Sequence, residues 1–353
     1  MSGGVDSSVA AALLMQQGYE VVGVTLHLWD YPDEGSPKGR CCAPEDVHDA
    51  KRVADQLGFP HYAFDRRELF EREVVAPFVE EYLAGTTPSP CVRCNRGVKV
   101  AELLTLADRL SADFVATGHY ARLSHRNNGE MDLLVARDAT KDQSYFLHML
   151  PDETLRRFLF PLGDMEKASV REKAVEMGLP GAGKGESQEL CFVPTGRYDR
   201  LVEQRAKGRL RPGPIVDREG RVVGTHGGMH KFTLGQRRNL GVAVGERAYV
   251  VELNQETSTV RLGLQDELGA SEIMVEDFSL RPGVSLPLEA ETVIRYRGAR
   301  CAARITLEEN AGDSAPRARV AFSSPVSAPN PGQFAVFYDG DKVLGGGLIV
   351  GQA

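Results

Sequence analysis

The chain is poor in the features that mark several broad protein classes. Its 353 residues hold only six cysteines, at positions 41, 42, 91, 94, 191 and 301, with no regular spacing. That argues against a disulfide-stapled scaffold and for a reducing, cytoplasmic setting, where thiols are catalytic, metal-bound or buried. No apolar run approaches the roughly 20 residues of a membrane span, so no membrane partner is expected. No charged segment followed by an apolar stretch and a cleavage site is visible, so no secretory signal is expected. There is no internal repeat and no low-complexity tail.

A surplus of positive charge is also missing. The formal net charge is −7, which by itself disfavours a nucleic-acid partner. The distribution matters more than the sum. Residues 195–240 carry eleven Lys and Arg against four Asp and Glu, a local +7 that leaves −14 for the remainder. Such asymmetry fits a basic face for a polyanion, and it equally fits a solvated surface. Length and a hydrophobic share of 42% predict two or three domains with real cores.

What is present begins at once, with MSGGVDSSVAAALL. Paired glycines let backbone N–H groups turn towards an anion. Asp6, Ser7 and Ser8 suit a helix start, and Gly18 suits its end. A Gly-rich loop on a helix N-terminus favours phosphate. It also fits an ordinary capped helix behind a Gly-Gly turn. The loop is not of the GxxxxGK[ST] type and contains no lysine. It resembles SGGxDS, the pyrophosphate loop (PP-loop) of the N-type ATP pyrophosphatases, which split ATP to AMP and pyrophosphate and so adenylate a carbonyl oxygen.

Helical and strand patterns then alternate. Helices are predicted over 45–58, over 68–83 with a kink or break at Pro77, and over 98–110. Strands are predicted over 21–26, 61–65 and 113–117. The alternation implies an α/β domain with a doubly wound parallel sheet, whose ligands sit at the carboxyl ends of the strands. Leu26 and Gly118 then share a crevice with the loop. Helices over 151–159 and 167–178 and a glycine-rich loop at 181–185 follow. The first domain spans 1–205. Shorter runs and Pro-Gly turns give a small β-rich central domain over 206–270, and strand-sized pieces over 271–353 read as an antiparallel β-barrel with a surface hairpin loop at 308–316.

TPSPCVRCN (87–95) sets two thiols after two prolines and before a helix. Cys94 is expected near that helix's N-terminus, where the dipole and Arg93 favour the thiolate. Cys191 follows the glycine-rich loop, and mobile loops of that kind often carry function. Three readings of the CxxC stand side by side: a structural zinc site, a redox dithiol, and nucleophilic sulfur chemistry at an activated carbonyl. Cys41, Cys42 and Cys301 read as packing or exposed thiols.

The loop, TPSPCVRCN, TGHYAR, KDQSYFL, ESQELCF, FTLGQRRNLG, IRYR and PGQFAVFY occur in this order along nearly the whole chain. Together they resemble the tRNA-specific 2-thiouridylases (the MnmA/TrmU family). The resemblance implies that ATP, with Mg2+, adenylates O2 of the wobble uridine in the tRNA anticodon loop. A persulfide then delivers sulfur to C2 and displaces AMP. Sulfur comes from a relay protein or a cysteine desulfurase. By motif position, Cys191 matches the persulfide carrier and Cys94 the second catalytic cysteine. Ser2, Gly3, Gly4, Val5, Asp6 and Ser7 match the phosphate contacts, and Leu26 and Gly118 the adenine side. Ser89, Pro90 and Cys91 match the segment beside the target base. His119, Lys141, Asp142, Gln143, Arg295, Tyr296 and Gln333 match tRNA contacts. Physically, a stacked uridine must be splayed out to be reached, with cations on phosphates and an aromatic face for stacking.

The chain departs from the family's pattern twice. Some members have aspartate where Cys91 stands, so Cys91, Cys94 and Cys191 together leave an iron–sulfur cluster as an alternative. Members also carry a hydrophobic strand before the loop. Its absence should leave unpaired backbone and an open apolar slot, and predicts a Val/Ile-rich stretch upstream of Met1. Two further readings stand beside thiolation: a PP-loop ligase for a small metabolite, and an RNA-binding module without catalysis.

Overall fold

The computed structural model describes residues 1–30, 44–183, 190–193, 196–242, 247–308 and 316–352. Cys41, Cys42, Lys184 to Glu189 and most of the expected hairpin loop at 308–316 lie outside them. The chain divides into two compact units. The first comprises Met1–Val75, Cys91–Arg197 and Asp341–Val343; the second comprises Ala76–Pro90, Tyr198–Gly340 and Leu344–Ala353.

In the first unit, α1 (Val5–Gln16) follows the loop and leads to β1 (Gly23–His27), α2 (Pro44–Leu57), β2 (His61–Asp65) and the short α3 (Arg67–Phe70). A π-turn at Glu71–Val75 then precedes α4 (Ala76–Leu83), which opens the second unit's first segment. The helix expected over 68–83 is thus interrupted just ahead of Pro77, whose missing N–H would otherwise break the ladder. Next come α5 (Pro90–Cys94), a second π-stretch at Asn95–Lys99, and α6 (Val100–Arg109). The sequence becomes helical at Pro90, eight residues earlier than a simple period over 98–110 suggests, because the π-stretch shifts the apolar phase. After β3 (Val115–Ala116) come the hairpin β4 (Arg122–His125) and β5 (Met131–Leu134), then α7 (Ser144–Leu147), α8 (Asp152–Leu155), β6 (Phe158–Leu159) and α9 (Lys167–Glu176). The helix expected over 151–159 stops after one turn. Phe158 and Leu159 instead pair with Val115 and Ala116, and burial of Phe158 outweighs local propensity.

The parallel strands form two short ladders. β1 pairs with β2 from Gly23↔His61 to His27↔Asp65, and β3 pairs with β6. Among the described residues the two ladders are not hydrogen-bonded to each other. A cavity of about 430 Å³ is lined by Ala10 and Leu14 of α1, Val22 and Val24, Leu106 of α6 and Val115. Helix α1 is buried on nearly all sides. Its small residues let it pack closely: Val9, Ala10 and Ala12 share a core with Val53 of α2 and Val170 and Ala174 of α9.

The second unit contains α4 and α10 (Tyr198–Ala206), joined by the Tyr82–Tyr198 stack with centroids 4.5 Å apart. Two hairpins follow, β7 (Gly213–Val216) with β8 (Val222–His226) and β9 (Tyr249–Asn254) with β10 (Thr259–Gly263); a parallel β7–β10 pairing joins them. Six strands then close an antiparallel barrel: β11 (Gly269–Leu280), β12 (Leu288–Val293), β13 (Cys301–Leu307), β14 (Ala318–Ser327), β15 (Phe334–Asp339) and β16 (Lys342–Gln352). Their order is 11-14-13-12-15-16, and β11 pairs with β16 to close it. Alternate residues point inward, as Ala303 and Ile305 do on β13. Ile273, Ile305, Val320, Phe337 and Ile349 are completely buried in that core.

Phe337→Ala is expected to destabilise the second unit by about 3–5 kcal/mol through a cavity that the closed barrel cannot collapse. A urea titration should show a lower midpoint with an unchanged slope.

Candidate active site

The site grows from the start of α1. Gly3 has φ +67°, and a β-carbon there would run into the backbone carbonyl of Asp46. Gly4 is the extended N-cap residue and offers no side-chain cap. The Ser7 and Ser8 hydroxyls both donate to the Gly4 carbonyl, at 3.1 and 3.0 Å, and the Ser2 amide donates to Ser7 Oγ at 3.1 Å. The serines therefore brace the turn from within. First-turn N–H groups lack intrahelical partners, so this end of a 12-residue helix suits an anion. Gly118 completes the approach. A β-carbon on it would lie 2.9 Å from both Asp6 C and Ser7 N, so no larger residue lets the end of β3 rest on the helix start.

Asp6 is the acid of the loop. Its Oδ1 accepts from the Tyr120 hydroxyl at 2.8 Å and from Lys167 Nζ at 2.6 Å. Lys167 comes from the first turn of α9. Its residue is only 8% exposed, and its ammonium lies 5.5 Å from the Tyr120 ring centroid.

The lining of the cavity described above also includes Ser2, Asp6, Ser7, Leu26, Gly118, His119, Gln143 and Cys191. Cys191 is fixed by its neighbour. Phe192 is buried and meets Phe70 and Trp29 edge-on at 5.6 and 6.2 Å, an aromatic anchor for the ELCF stretch. Cys94 is buried and sits at the end of α5, one turn after Pro90. Helical structure begins at Pro90, so Cys91 occupies the first turn and Cys94 lies deeper than the sequence suggests. Asn95 opens the following π-stretch, buried, with Nδ2 donating to the Phe146 carbonyl at 3.3 Å.

His119 Nδ1 is 2.8 Å from Thr117 Oγ1, and the ring meets Phe160 edge-on. Burial, reinforced by the Lys99 charge, pushes its pKa down to about 3, so the ring is neutral at physiological pH. Asp142 and Gln143 are committed to the backbone. Asp142 Oδ1 accepts from the Ala136 and Ser144 amides and its Oδ2 from the Ser144 hydroxyl. Gln143 Oε1 accepts from the Tyr120 amide. Lys141 is half-buried beside them.

In the second unit, Ser89 and Pro90 are buried. Gln333 Nε2 donates to the carbonyls of Thr87 and Pro88 at 2.8 and 3.2 Å, and the Thr87 amide donates to Pro331. Arg295 is exposed on the turn between β12 and β13, and Tyr296 has the Arg297 guanidinium over its ring at 5.1 Å. The basic segment is partly self-neutralised: Arg209 pairs with Glu80, Arg218 with Glu267, Arg221 with Asp217 and Lys231 with Glu203. Arg200, Lys207, Arg211, Arg237 and Arg238 are exposed.

Among the described residues, no group of three His, Cys, Asp or Glu is placed to hold a metal ion. Among the described residues, Cys91, Cys94 and Cys191 are therefore not gathered into the donor set of an iron–sulfur cluster. Sequence reading missed Lys167, the Tyr120 hydroxyl and Lys99. Tyr120 stands within TGHYAR; Lys167 had no signal beyond opening a predicted helix.

Family models match three successive segments: a tRNA methyl transferase HUP domain over 1–195, a tRNA methyl transferase PRC-barrel domain over 201–263, and an aminomethyltransferase beta-barrel domain over 271–349. A tRNA-specific 2-thiouridylase MnmA of Sorangium cellulosum is 58% identical over 349 residues, covering 99% of this chain and 90% of its own. The chain belongs to the tRNA-specific 2-thiouridylase (MnmA) family. Members from Geobacter metallireducens and Moorella thermoacetica are 47% and 46% identical, each over 99% of this chain and 95% and 98% of their own. Within the MnmA architecture, the loop, Lys167 and the three thiols fall in the HUP segment, and Arg295, Tyr296 and Gln333 fall in the last one.

In an NMR titration the His119 imidazole is expected to stay neutral from pH 8 down to pH 5. Its folded pKa lies below the unfolded value of about 6.5. The stability it contributes is therefore complete above pH 6.5 and is lost as pH falls towards 3. A His119 midpoint near 6.5 in the folded chain would contradict this.

Proposed function

We propose that this chain uses ATP to replace O2 of the wobble uridine of tRNA with sulfur. The observation that carries the reading is the meeting of the PP-loop and Cys191 in one cavity, where a phosphate site and a sulfur carrier face the same volume. The alternatives of a small-metabolite ligase and of a cluster-dependent enzyme have no support from the family or from the thiol placement.

The chemistry follows from the groups present. The uridine O2 attacks Pα of ATP, and the Pα–O bond to the β-phosphate breaks with its electrons on pyrophosphate. The glycine-lined start of α1 offers N–H groups to that developing charge. Ser2, Gly3, Gly4, Val5, Asp6 and Ser7 hold the phosphates, while Leu26 and Gly118 flank the adenine. Adenylation turns O2 into part of a good leaving group. The terminal sulfur of a persulfide on Cys191 attacks C2, and AMP leaves. Cys94 then attacks Cys191 Sγ; the S–S bond to the transferred sulfur breaks, 2-thiouridine is released, and the Cys94–Cys191 disulfide awaits reduction.

Asp6 fits a Mg2+ role, since divalent cations on nucleotides take one or two carboxylates beside the phosphates; the ion would neutralise phosphate charge. Ser89, Pro90 and Cys91 border the target base. His119, Lys141, Asp142, Gln143, Arg295, Tyr296 and Gln333 are the proposed tRNA contacts, and the exposed Arg and Lys of the central domain, over 206–270, meet its backbone. A neutral His119 donates or accepts a hydrogen bond there and adds no charge. Sulfur reaches Cys191 from a relay protein or a cysteine desulfurase. Among the described residues no helix is long and apolar enough to cross a membrane, and the reaction belongs to the cytoplasm, where tRNA and reduced thiols are.

The test is nucleoside mass spectrometry of tRNA from cells without their own thiouridylase that express this protein from its gene. 2-Thiouridine is expected to return with the wild type and to stay below about 1% of that level with Cys191→Ser or Cys94→Ser, since a hydroxyl cannot form a persulfide or a disulfide. No 2-thiouridine from soluble wild type with a competent sulfur donor would sink the proposal, and tRNA-independent AMP release would revive the ligase.

A further inference from the structure

We infer that Lys167 is the phosphate-binding cation that the PP-loop itself does not contain. The inference rests on the ATP reading above. The loop residues 2–8 include an acid and no base. Lys167 lies 161 residues after Asp6 yet puts its ammonium 2.6 Å from Asp6 Oδ1. It is held at both ends, because its amide donates to Asp138 Oδ2 at 3.0 Å. The lysine side chain is 10% exposed, whereas that of Asp6 is 36% exposed. The cation is therefore the enclosed partner, and the acid is the one that opens to solvent.

That asymmetry has a function. A buried ammonium needs a counter-ion, because an unpaired one carries a heavy desolvation cost. In the nucleotide-free chain Asp6 fills that place. A triphosphate tail arriving at the start of α1 brings more negative charge than one carboxylate, and Lys167 passes from Asp6 to the phosphates as a point charge on a flexible stem. Tyr120 keeps Asp6 in place during the exchange, since its hydroxyl donates to the same Oδ1 at 2.8 Å. Lys167 then serves the terminal phosphates and the departing pyrophosphate, and does nothing for the adenosine or the α-phosphate of AMP. The competing explanation is a purely structural ion pair tying α1 to α9.

Calorimetric titration of the full chain in metal-free buffer separates the two, with inorganic pyrophosphate and AMP as the probes. Lys167→Met is expected to weaken pyrophosphate by about 10- to 100-fold, the scale of a hydrogen bond to a charged group, and to leave AMP within about threefold. Asp6→Asn/Lys167→Met removes both charges and so avoids leaving the Asp6 carboxylate without its cation. Without metal, loss of the Asp6 charge alone can only help an anion, so a comparable loss of pyrophosphate affinity in the double variant belongs to Lys167. Pyrophosphate binding within about threefold of wild type in either variant, or an equal loss for AMP, would overturn the inference. Wild type that binds neither probe would instead overturn the ATP reading beneath it.

Discussion

Close backbone approach at the start of α1 is the constraint around which the first unit is arranged. Gly3 lies against the Asp46 carbonyl and Gly118 against Asp6 and Ser7, so one helix end is pinned from two sides by chain segments that leave no room for a β-carbon. The small residues along the buried face of α1 extend the same logic. Val9, Ala10 and Ala12 admit α2 and α9 at short range, and the approach of α9 brings Lys167 to the loop. A bulkier helix would hold α9 off and leave the acid of the loop without its cation. Packing thus sets the electrostatics.

The loop, the thiols and the domain types were legible because each is written locally. SGGVDS, CVRCN and ELCF are contiguous, and alternating inward residues announce a barrel strand by strand. Lys167 was not legible, since its meaning depends on a partner 161 residues away. Asp142 and Gln143 look like surface residues in sequence, yet their oxygens are spent on the amides of Ala136, Ser144 and Tyr120. The local +7 overstated the free basic surface, because Glu80 and Glu267, from outside that segment, each neutralise a member of it. The depth of Cys94 was hidden by the π-stretch, an extra residue per turn that no periodicity shows.

His119, kept neutral by burial and by the nearby Lys99 charge, lines the same cavity as the start of α1. The start of α1 holds fixed dipoles and an Asp6 paired with Lys167, while the His119 ring meets Phe160 edge-on.

The hold of Gln333 on Thr87 spans 246 residues of sequence. At about 5–20 residues per second, a ribosome takes roughly 12–50 seconds to make that stretch. Throughout that interval the TPSP segment exists without the barrel turn that will fasten it, although it emerges long before most of the second unit does. The lead-in to Cys91 is therefore among the last parts of the second unit to be tied down, and a nascent chain that stops short of Gln333 carries both thiols of CVRCN behind an untethered segment.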